Sequence, residues 1–477
     1  MLKKAGRILW NNIKILAGAA FVLATIYYSY LYLCKVFINK EAFYNDSFHN
    51  MPKDSVDIIV LGSSHAQYSF IPSFAYQDSG LYSYVLGSAC QAPKVSYEML
   101  KEALKNQSPE LVILEVYTTT PVSYNCEGDV CFALAQYMMR GQEKQNVINF
   151  LPEEKAETYR NDFINNHNTW REMESLKELI YEKDTSITPD FGYIQLDAEL
   201  PPKNSWYPLV YDNVPDFTLD EEDIDGLNNI LDLCKEKDIQ LLLYMMPMDS
   251  LTAENQGALD KVWQWADEND VKYLDFVQLS RKINYRLQIH NNGAHCFSNG
   301  ASYITDYLMN FVKENYVFEH HTQNKELDSL YDLYVPGLTA SVFRTEYNPV
   351  KYLSRLINYP DTYVIKYDSH DRPLGDTLRT CLLDMGLEGF DGYSSYYAIV
   401  RNGEVLTYSS TPLSYDLDGH HIEIGNGVLS IDENVINDYY GLSFTAFVDD
   451  FDHYTNKNIN VWNSWDEGYG YDYKPLW

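Results

Sequence analysis

The chain has 477 residues, 45% of them hydrophobic, which is enough for about two or three domains with their own cores and argues against disorder. Acidic residues outnumber basic ones by 68 to 36, so the formal net charge is -32 at pH 7. Because a charge of this sign repels phosphate backbones, we expect no nucleic-acid partner.

Residues 1–40 predict a membrane anchor. Residues 15–34 form an uncharged apolar run, and a helix of this length, at ~1.5 Å per residue, crosses the ~30 Å hydrocarbon core of a bilayer. The basic residues before the run are Lys3, Lys4, Arg7 and Lys14, with no acidic residue among them. The positive-inside tendency then keeps the N-terminus in the cytoplasm and the bulk of the chain, beyond about residue 40, extracellular. A cleaved signal peptide is the alternative, but the run exceeds a usual signal and no small-x-small site ends it, which favours an uncleaved single-pass anchor.

The segment that follows, residues 54–116, predicts strands alternating with helix. Its apolar runs at 56–61, 83–86 and 111–114 are typical of buried parallel strands. The first two runs end at Gly62 and Gly87, and the helix before the third carries Val95, Met99 and Ala103 on one face.

Residues from about 120 to 217 are polar and predict a helical insertion over the sheet. The alternation then resumes with a capping box, Thr218 to Glu221, that predicts a helix start. Further strands are predicted at 240–245 and 271–274, and a last helix from near Ser298. This alternation predicts an α/β fold with a doubly wound parallel sheet, whose functional loops lie at the carboxyl ends of the strands.

Beyond about residue 340 the pattern predicts a separate α+β domain. Helices are expected at 347–357 and 373–385, a strand at 363–367, and a hairpin from 396 to 408 that turns at Asn402-Gly403. The predicted organisation is a stub and anchor over 1–40, an α/β domain over 41–335, an α+β domain over 340–455 and an aromatic tail over 456–477.

The tetrapeptide Gly62-Ser63-Ser64-His65 directly follows the first predicted strand. A serine at such a strand end is placed to act as a nucleophile, although the tetrapeptide alone favours an ordinary turn with a serine cap. His295 stands just before the last helix, and the loops after the first strand and before the last helix meet at one end of a doubly wound sheet. Ser64 and His295 are therefore a reachable nucleophile and base.

Cofactor and metal motifs are lacking, and we expect neither. No CxxC pair or histidine cluster has zinc spacing, and no nucleotide or coenzyme A motif is present. His420 and His421 are interpreted as solvated loop residues. Cys126 and Cys131 are spaced to close a short disulfide loop in an oxidising exterior.

From about residue 54 to 315 the chain resembles the SGNH hydrolase superfamily, in particular the membrane-anchored branch similar to the D-alanine transfer protein DltD. The segments that carry the resemblance are Gly62-Ser63-Ser64, Leu86-Gly87-Ser88 with Gln91, Leu114-Glu115-Val116, Trp170, and His295 with Ser298-Asn299-Gly300-Ala301. The resemblance implies a three-layer, flavodoxin-like domain, with Ser64 as nucleophile and His295 as base. It also implies that Gly87 and Gln91 line the oxyanion hole.

The sequence departs from this family beside the histidine. The family's Asp-x-x-His is here Asn292-x-x-His295, the usual Leu-Asn after the histidine is Cys296-Phe297, and a Gly-x-Asn-Asp block is absent. The resemblance assigns Asn292 the role of orienting the imidazole. A neutral Asn does this without stabilising the imidazolium by charge.

The region from about 355 to 450 resembles the interleukin-like EMT inducer (ILEI/PANDER-type) domain. The matching segments are residues 397–405 and Gly441-Leu442 leading to Val448-Asp449. Domains of this type are suspected of binding glycans, which the resemblance makes an expectation for this region.

Together these features predict a cell-surface serine esterase or acyltransferase that acts on O-acyl groups of an extracellular polysaccharide. By analogy with the DltD-like branch, a membrane-bound O-acyltransferase is the expected acyl supplier. The alternative is a catalytically degenerate scaffold that binds glycan or organises a cell-envelope assembly complex.

Overall fold

The computed structural model describes residues 2–36, 47–121, 138, 141–160, 187–197, 211, 213–248, 251–283, 293–321, 323–346, 349–357, 359–369, 374, 376–387, 389–448 and 450–459. Its first helix, α1, spans Leu2–Val36. Within α1, the segment Trp10–Leu33 contains a stretch of mean hydropathy 1.5, and no part of it is buried. Among the described residues this is the one helix long and apolar enough to cross a membrane, a criterion that a signal sequence also meets.

The first globular unit is a five-stranded parallel sheet. Its strands are β1 (Ile58–Gly62), β2 (Ser83–Gly87), β3 (Leu111–Glu115), β4 (Gln240–Met245) and β5 (Lys272–Asp275). They lie in the order β2-β1-β3-β4-β5, the flavodoxin-like arrangement of a doubly wound fold. Every position of β1, β2 and β3 is buried, because helices cover both faces of a sheet of this kind. The predicted fold class is confirmed.

Helices flank this sheet in two layers. The helices of this unit are α2 (Ser64–Ser69), α3 (Pro72–Ser79), α4 (Pro93–Ala103), α5 (Gln142–Asn149), α6 (Glu153–Tyr159), α7 (Glu221–Lys237), α8 (Ala253–Glu268), α9 (Phe276–Ile283) and α10 (Ser298–Asn315). α4 packs against α7 and α5, whereas α10 packs against α2 and α3. The helices α5 and α6 belong to the predicted insertion, of which residues 122–137, 139–140, 161–186, 198–210 and 212 lie outside the described part of the chain.

The predicted capping box at Thr218 is wrong. α7 begins after Asp220, whose Oδ1 accepts a hydrogen bond from the Glu222 backbone N–H at 2.9 Å. Asp is as good an N-cap as Thr, and the three acidic residues of the first turn complement the positive end of the helix dipole.

In the described residues, the C-terminal unit contains two antiparallel sheets and two helices. The strands are β6 (Thr362–Tyr367), β7 (Tyr396–Arg401), β8 (Glu404–Ser409), β9 (Leu413–Leu417), β10 (His420–Gly425), β11 (Val428–Ile431), β12 (Asn434–Asn437), β13 (Leu442–Val448) and β14 (Asp450–Ile459). They lie in the order β14-β13-β6-β7-β8 in one sheet and β12-β11-β10-β9 in the other. The two helices lie at Pro349–Ile357 and Asp376–Asp384. This agrees with the α+β composition expected from the sequence.

Strand periodicity divides the C-terminal core in two. On β6, Tyr363, Ile365 and Tyr367 join the cluster beside the helices, while Val364 joins the cluster between the two sheets. The predicted hairpin is confirmed, since Asn402 and Gly403 both have positive φ, 51° and 73°, as a type I′ turn requires.

One long helix, α11 (Lys325–Thr345), connects the two units. Its residues Leu327, Tyr331 and Leu338 belong to the core of the α/β unit, whereas Phe343 belongs to the core of the C-terminal unit. The boundary expected near 335–340 therefore falls inside a helix that contributes to both cores.

Candidate active site

The turn between β1 and α2 presents the two adjacent serines differently. Ser63 is the N-cap of α2, is fully buried, and its Oγ accepts a hydrogen bond from the His65 backbone N–H at 3.2 Å. Ser64 is the first residue of α2 and is only partly buried. Of the two hydroxyls, that of Ser64 is the one placed to meet a substrate.

The structure brings Ser64 and His295 together. The Ser64 Oγ lies 2.9 Å from His295 Nε2, although the two residues are 231 positions apart in the chain. His295 precedes α10, and the ring of Tyr68 packs against its imidazole with centroids 4.3 Å apart. Partial burial lowers the pKa of His295 below its usual 6.5, so the ring is neutral and able to accept a proton at neutral pH.

The buried carboxyl group of Glu115 lies beside the turn that carries Ser64. The Oε2 of Glu115, at the end of β3, accepts hydrogen bonds from Ser63 Oγ at 2.7 Å and from the Ser63 backbone N–H at 3.4 Å. Its Oε1 accepts from the Tyr117 N–H at 2.8 Å. Burial raises the pKa of Glu115 to about 7, against the lowering effect of the bonds from Ser63 and Tyr117.

Gly62 makes this approach of Glu115 possible. A Cβ at residue 62 would lie 2.6 Å from Glu115 Cβ, and its φ of 144° is one that L side chains rarely adopt. The glycine that ends β1 is therefore required both by the backbone and by the neighbouring carboxylate.

His65 fills the space between Glu115 and His295. Its ring is edge-on to that of His295, with centroids 5.5 Å apart, and its Nδ1 lies 3.8 Å from Glu115 Oε1. Burial lowers the pKa of His65 to about 3, with a smaller contribution from His295. His65 is therefore neutral at physiological pH, and its contact with Glu115 is not an ion pair.

The end of β2 supplies the other side of the site. Gly87 pairs with Gly62 across the sheet, and a Cβ there would lie 2.9 Å from Gln67 Cγ and 3.1 Å from the Ser63 carbonyl oxygen. This places Gly87 beside the serine turn, at the edge where the resemblance puts the oxyanion hole.

The side chain of Gln91 stabilises the loop after β2 by hydrogen bonds. Its side-chain amide donates to the Leu86 carbonyl and to Ser96 Oγ, both at 3.0 Å, and its Oε1 accepts from Ser88 Oγ at 3.2 Å. Only 1% of Gln91 is exposed, and its hydrogen bonds fix the conformation of the loop that carries Gly87.

The same loop carries Cys90, which has a positive φ of 55° and is disulfide-bonded. Cys296, next to the candidate base, is a buried thiol outside any disulfide. The cysteines predicted to pair, Cys126 and Cys131, and the predicted orienting residue Asn292 lie outside the described residues.

Sequence reasoning missed the roles of Glu115 and His65. The available signals were a carboxylate ending an otherwise apolar strand and a histidine directly after the candidate nucleophile. Within the described ranges, no group of three or more His, Cys, Asp or Glu side chains is arranged to hold a metal ion.

Comparisons with known proteins do not assign this chain to a family. No protein-family model matches the chain, and no curated protein matches it. Among solved structures, a GDSL-like lipase from Bacteroides thetaiotaomicron is similar over 58% of this chain and 98% of its own, with 10% sequence identity and a TM-score of 0.28. At this level of similarity nothing about the activity of the chain follows from it.

Proposed function

We propose that the chain is a cell-surface serine esterase or acyltransferase that acts on O-acyl groups of an extracellular polysaccharide. The observation that carries this proposal is the Ser64 Oγ to His295 Nε2 distance of 2.9 Å, at the carboxyl edge of a doubly wound sheet. The sequence resemblance to membrane-anchored SGNH proteins supports the same chemistry.

In the proposed reaction His295 removes the Ser64 hydroxyl proton as Oγ attacks the acyl carbonyl. The tetrahedral oxyanion collapses, the polysaccharide or donor oxygen leaves with the proton held by His295, and an acyl-enzyme remains on Ser64. Water then completes hydrolysis, whereas a second hydroxyl completes acyl transfer. Gly87 is assigned to the oxyanion side on the resemblance and on its position beside the serine turn.

Two features support an extracellular location. The apolar part of α1 is preceded by basic residues, and Cys90 is disulfide-bonded, as is usual in oxidising compartments. The acyl group is then one that has already been exported, and a membrane-bound O-acyltransferase is the proposed supplier.

The C-terminal unit is proposed to bind glycan. Its described surface exposes Tyr393, Tyr408 and Tyr440, whose rings are suited to stacking on sugars. The resemblance to ILEI-type domains supports the same assignment.

A fluorophosphonate serine-hydrolase probe tests the catalytic proposal. We expect the full-length wild type to be labelled and Ser64→Ala to lose labelling, because the probe reacts with the activated hydroxyl. Ser329→Ala is the matched control, since Ser329 lies exposed on α11, and it should label like the wild type. A folded wild type that the probe does not label would overturn the catalytic proposal.

The second candidate function is a non-catalytic glycan-binding scaffold, which Asn292 favours because the family carries Asp there. We expect Asn292→Asp to raise esterase activity on a simple acyl ester several-fold, because a carboxylate stabilises the imidazolium that forms during attack. The measurement is kcat/KM near neutral pH, where His295 is unprotonated. If wild type and Asn292→Asp are both inert while the chain still binds glycans on an array, the scaffold is the better account.

A further inference from the structure

We propose that Glu115 is the acidic positioning residue of this site. It holds the Ser63-Ser64 turn and, when ionised, stabilises the positive charge that His295 gains as Ser64 attacks. This inference rests on the proposed function. It assigns to the end of β3 a role that the resemblance places beside the histidine, at residue 292.

Glu115 holds the turn that carries Ser64 through hydrogen bonds from Ser63. Both the hydroxyl and the backbone N–H of Ser63 donate to Glu115 Oε2, and Ser63 Oγ accepts from the His65 N–H. The carboxylate thereby fixes the residues on both sides of Ser64. Since Ser63 is fully buried, no water competes for these bonds.

His65 lies between Glu115 and His295. Among the described residues His65 Nδ1 is buried without a hydrogen-bond partner, and it lies 3.8 Å from Glu115 Oε1. An ionised carboxylate favours the tautomer with the proton on this nitrogen, and the His65 ring forms a T-shaped pair with that of His295. As a general magnitude, a unit charge about 10 Å from an imidazolium, at an effective dielectric of about 20, stabilises it by an amount worth roughly tenfold in rate.

The titratable groups around Glu115 determine whether its charge changes alone. The titratable side chains around it are His65 from α2, His295 from the loop before α10, Tyr117 from its own loop, and Tyr244 and Tyr273 from β4 and β5. Burial raises the pKa of each of these tyrosines above 10, so they stay neutral, and His65, with a pKa of about 3, is neutral as well.

Glu115 therefore changes charge close to physiological pH. Burial raises its pKa to about 7, whereas burial lowers the pKa of His295 below 6.5. As pH rises, His295 first loses its proton and becomes able to act as base, and Glu115 then ionises and stabilises the cation formed during attack. The rate should rise in two steps, the second near pH 7.

The experiment measures the rate of fluorophosphonate labelling of the full chain in detergent, from about pH 5.5 to about pH 9. Glu115→Gln keeps an oxygen to accept from Ser63 and loses the charge. We expect its rate to be roughly tenfold below wild type at about pH 8.5, without the step near pH 7. Ser63→Ala removes the hydroxyl that donates to Glu115 and keeps the charge, so it should label more slowly at every pH. It should still show two steps, with the second moved above pH 7, because the hydrogen bond that is lost lowers the pKa of Glu115 in the wild type.

Asp275→Asn is the matched control. Asp275 ends β5 at the same edge of the sheet, is partly buried with a pKa raised by desolvation to about 6, and accepts from the Val277 and Gln278 N–H groups. Two strands, β3 and β4, separate β5 from β1, so this variant should keep the wild-type pH profile.

The outcomes separate this inference from the proposed function. A wild type that labels with a single step below pH 6.5 would overturn the role of Glu115, whatever the variants do, and would leave the Ser64–His295 chemistry standing. A Glu115→Gln profile equal to that of wild type would do the same. A wild type that does not label at any pH would overturn the proposed function, and the role of Glu115 with it.

Discussion

At the scale of single residues, the two adjacent serines show how burial decides which hydroxyl is available to react. The hydroxyl of Ser63 is enclosed and donates to Glu115, whereas that of Ser64 is partly exposed and contacts His295. A hydroxyl committed to a buried carboxylate is not available as a nucleophile. The same burial keeps Glu115 protonated to a higher pH than an exposed Glu.

The raised pKa of Glu115 predicts a pH-dependent stability difference. Its folded pKa of about 7 exceeds the reference value of 4.5, so its favourable contribution is complete below 4.5 and is lost as pH rises through 7. Glu115→Gln avoids this loss. We expect the unfolding free energy of the variant to gain about 3 kcal/mol relative to wild type between about pH 4 and about pH 8.5.

Thermal or urea unfolding of both proteins at the two pH values measures this difference. Asp391→Asn is a useful control, because hydrogen bonds from Ser394 and Tyr393 lower the pKa of that exposed carboxyl and the sign of any pH effect should be opposite. A constant difference between wild type and Glu115→Gln across pH would contradict the prediction.

At the scale of elements, α11 and α10 join the two units beside the candidate base. The Asn299 backbone N–H, in the first turn of α10, donates to Thr345 Oγ1 at 3.0 Å. The buried Glu346, just after α11, accepts from Asn299 Nδ2 at 3.5 Å and lies 3.8 Å from Arg355 Nε of the next helix. The start of α10, three residues after His295, is thus held by the C-terminal unit.

Removing the Glu346 carboxylate should loosen this junction. Glu346→Ala leaves Arg355 without its carboxylate and Asn299 without an acceptor, which we expect to lower the unfolding free energy by about 1–3 kcal/mol. Glu236→Ala, at an exposed residue of α7, is the control and should change stability by less than about 0.5 kcal/mol. Equal unfolding midpoints for wild type and Glu346→Ala would show that this contact does not support the fold.

At the scale of the whole molecule, the proposed location of the site depends on α1. No part of its most apolar stretch is buried, as is typical of a lipid-facing helix. The basic residues before it predict a cytoplasmic N-terminus and an extracellular bulk.

Protease added to intact cells tests this topology. We expect it to remove the bulk of the chain beyond about residue 40 and to leave an N-terminal epitope intact, because the bilayer protects only the cytoplasmic stub. A cytoplasmic protein probed in the same cells controls for lysis. Protection of the C-terminus in sealed cells would contradict the extracellular placement.

Local patterns in the sequence determined the elements of this protein. Apolar runs closed by Gly62 and Gly87 predicted β1 and β2, the run at 240–245 predicted β4, and Asn402-Gly403 predicted the hairpin turn. These signals are local because side-chain periodicity and turn conformation depend on neighbours within a few positions. Where two good caps lie close together, as at Thr218 and Asp220, the local signal is degenerate and the start of α7 was misplaced.

Only the tertiary structure decided the environment of the site. The contact between Ser64 and His295 spans 231 positions, and no local pattern encodes whether a hydroxyl and an imidazole that far apart meet at 2.9 Å. The charge state of Glu115 likewise depends on burial by strands and helices from distant parts of the chain. Desolvation is a property of the packed molecule, so the sequence alone predicts a candidate nucleophile and base, whereas the buried carboxyl group of Glu115 beside the serine turn emerges only from the fold.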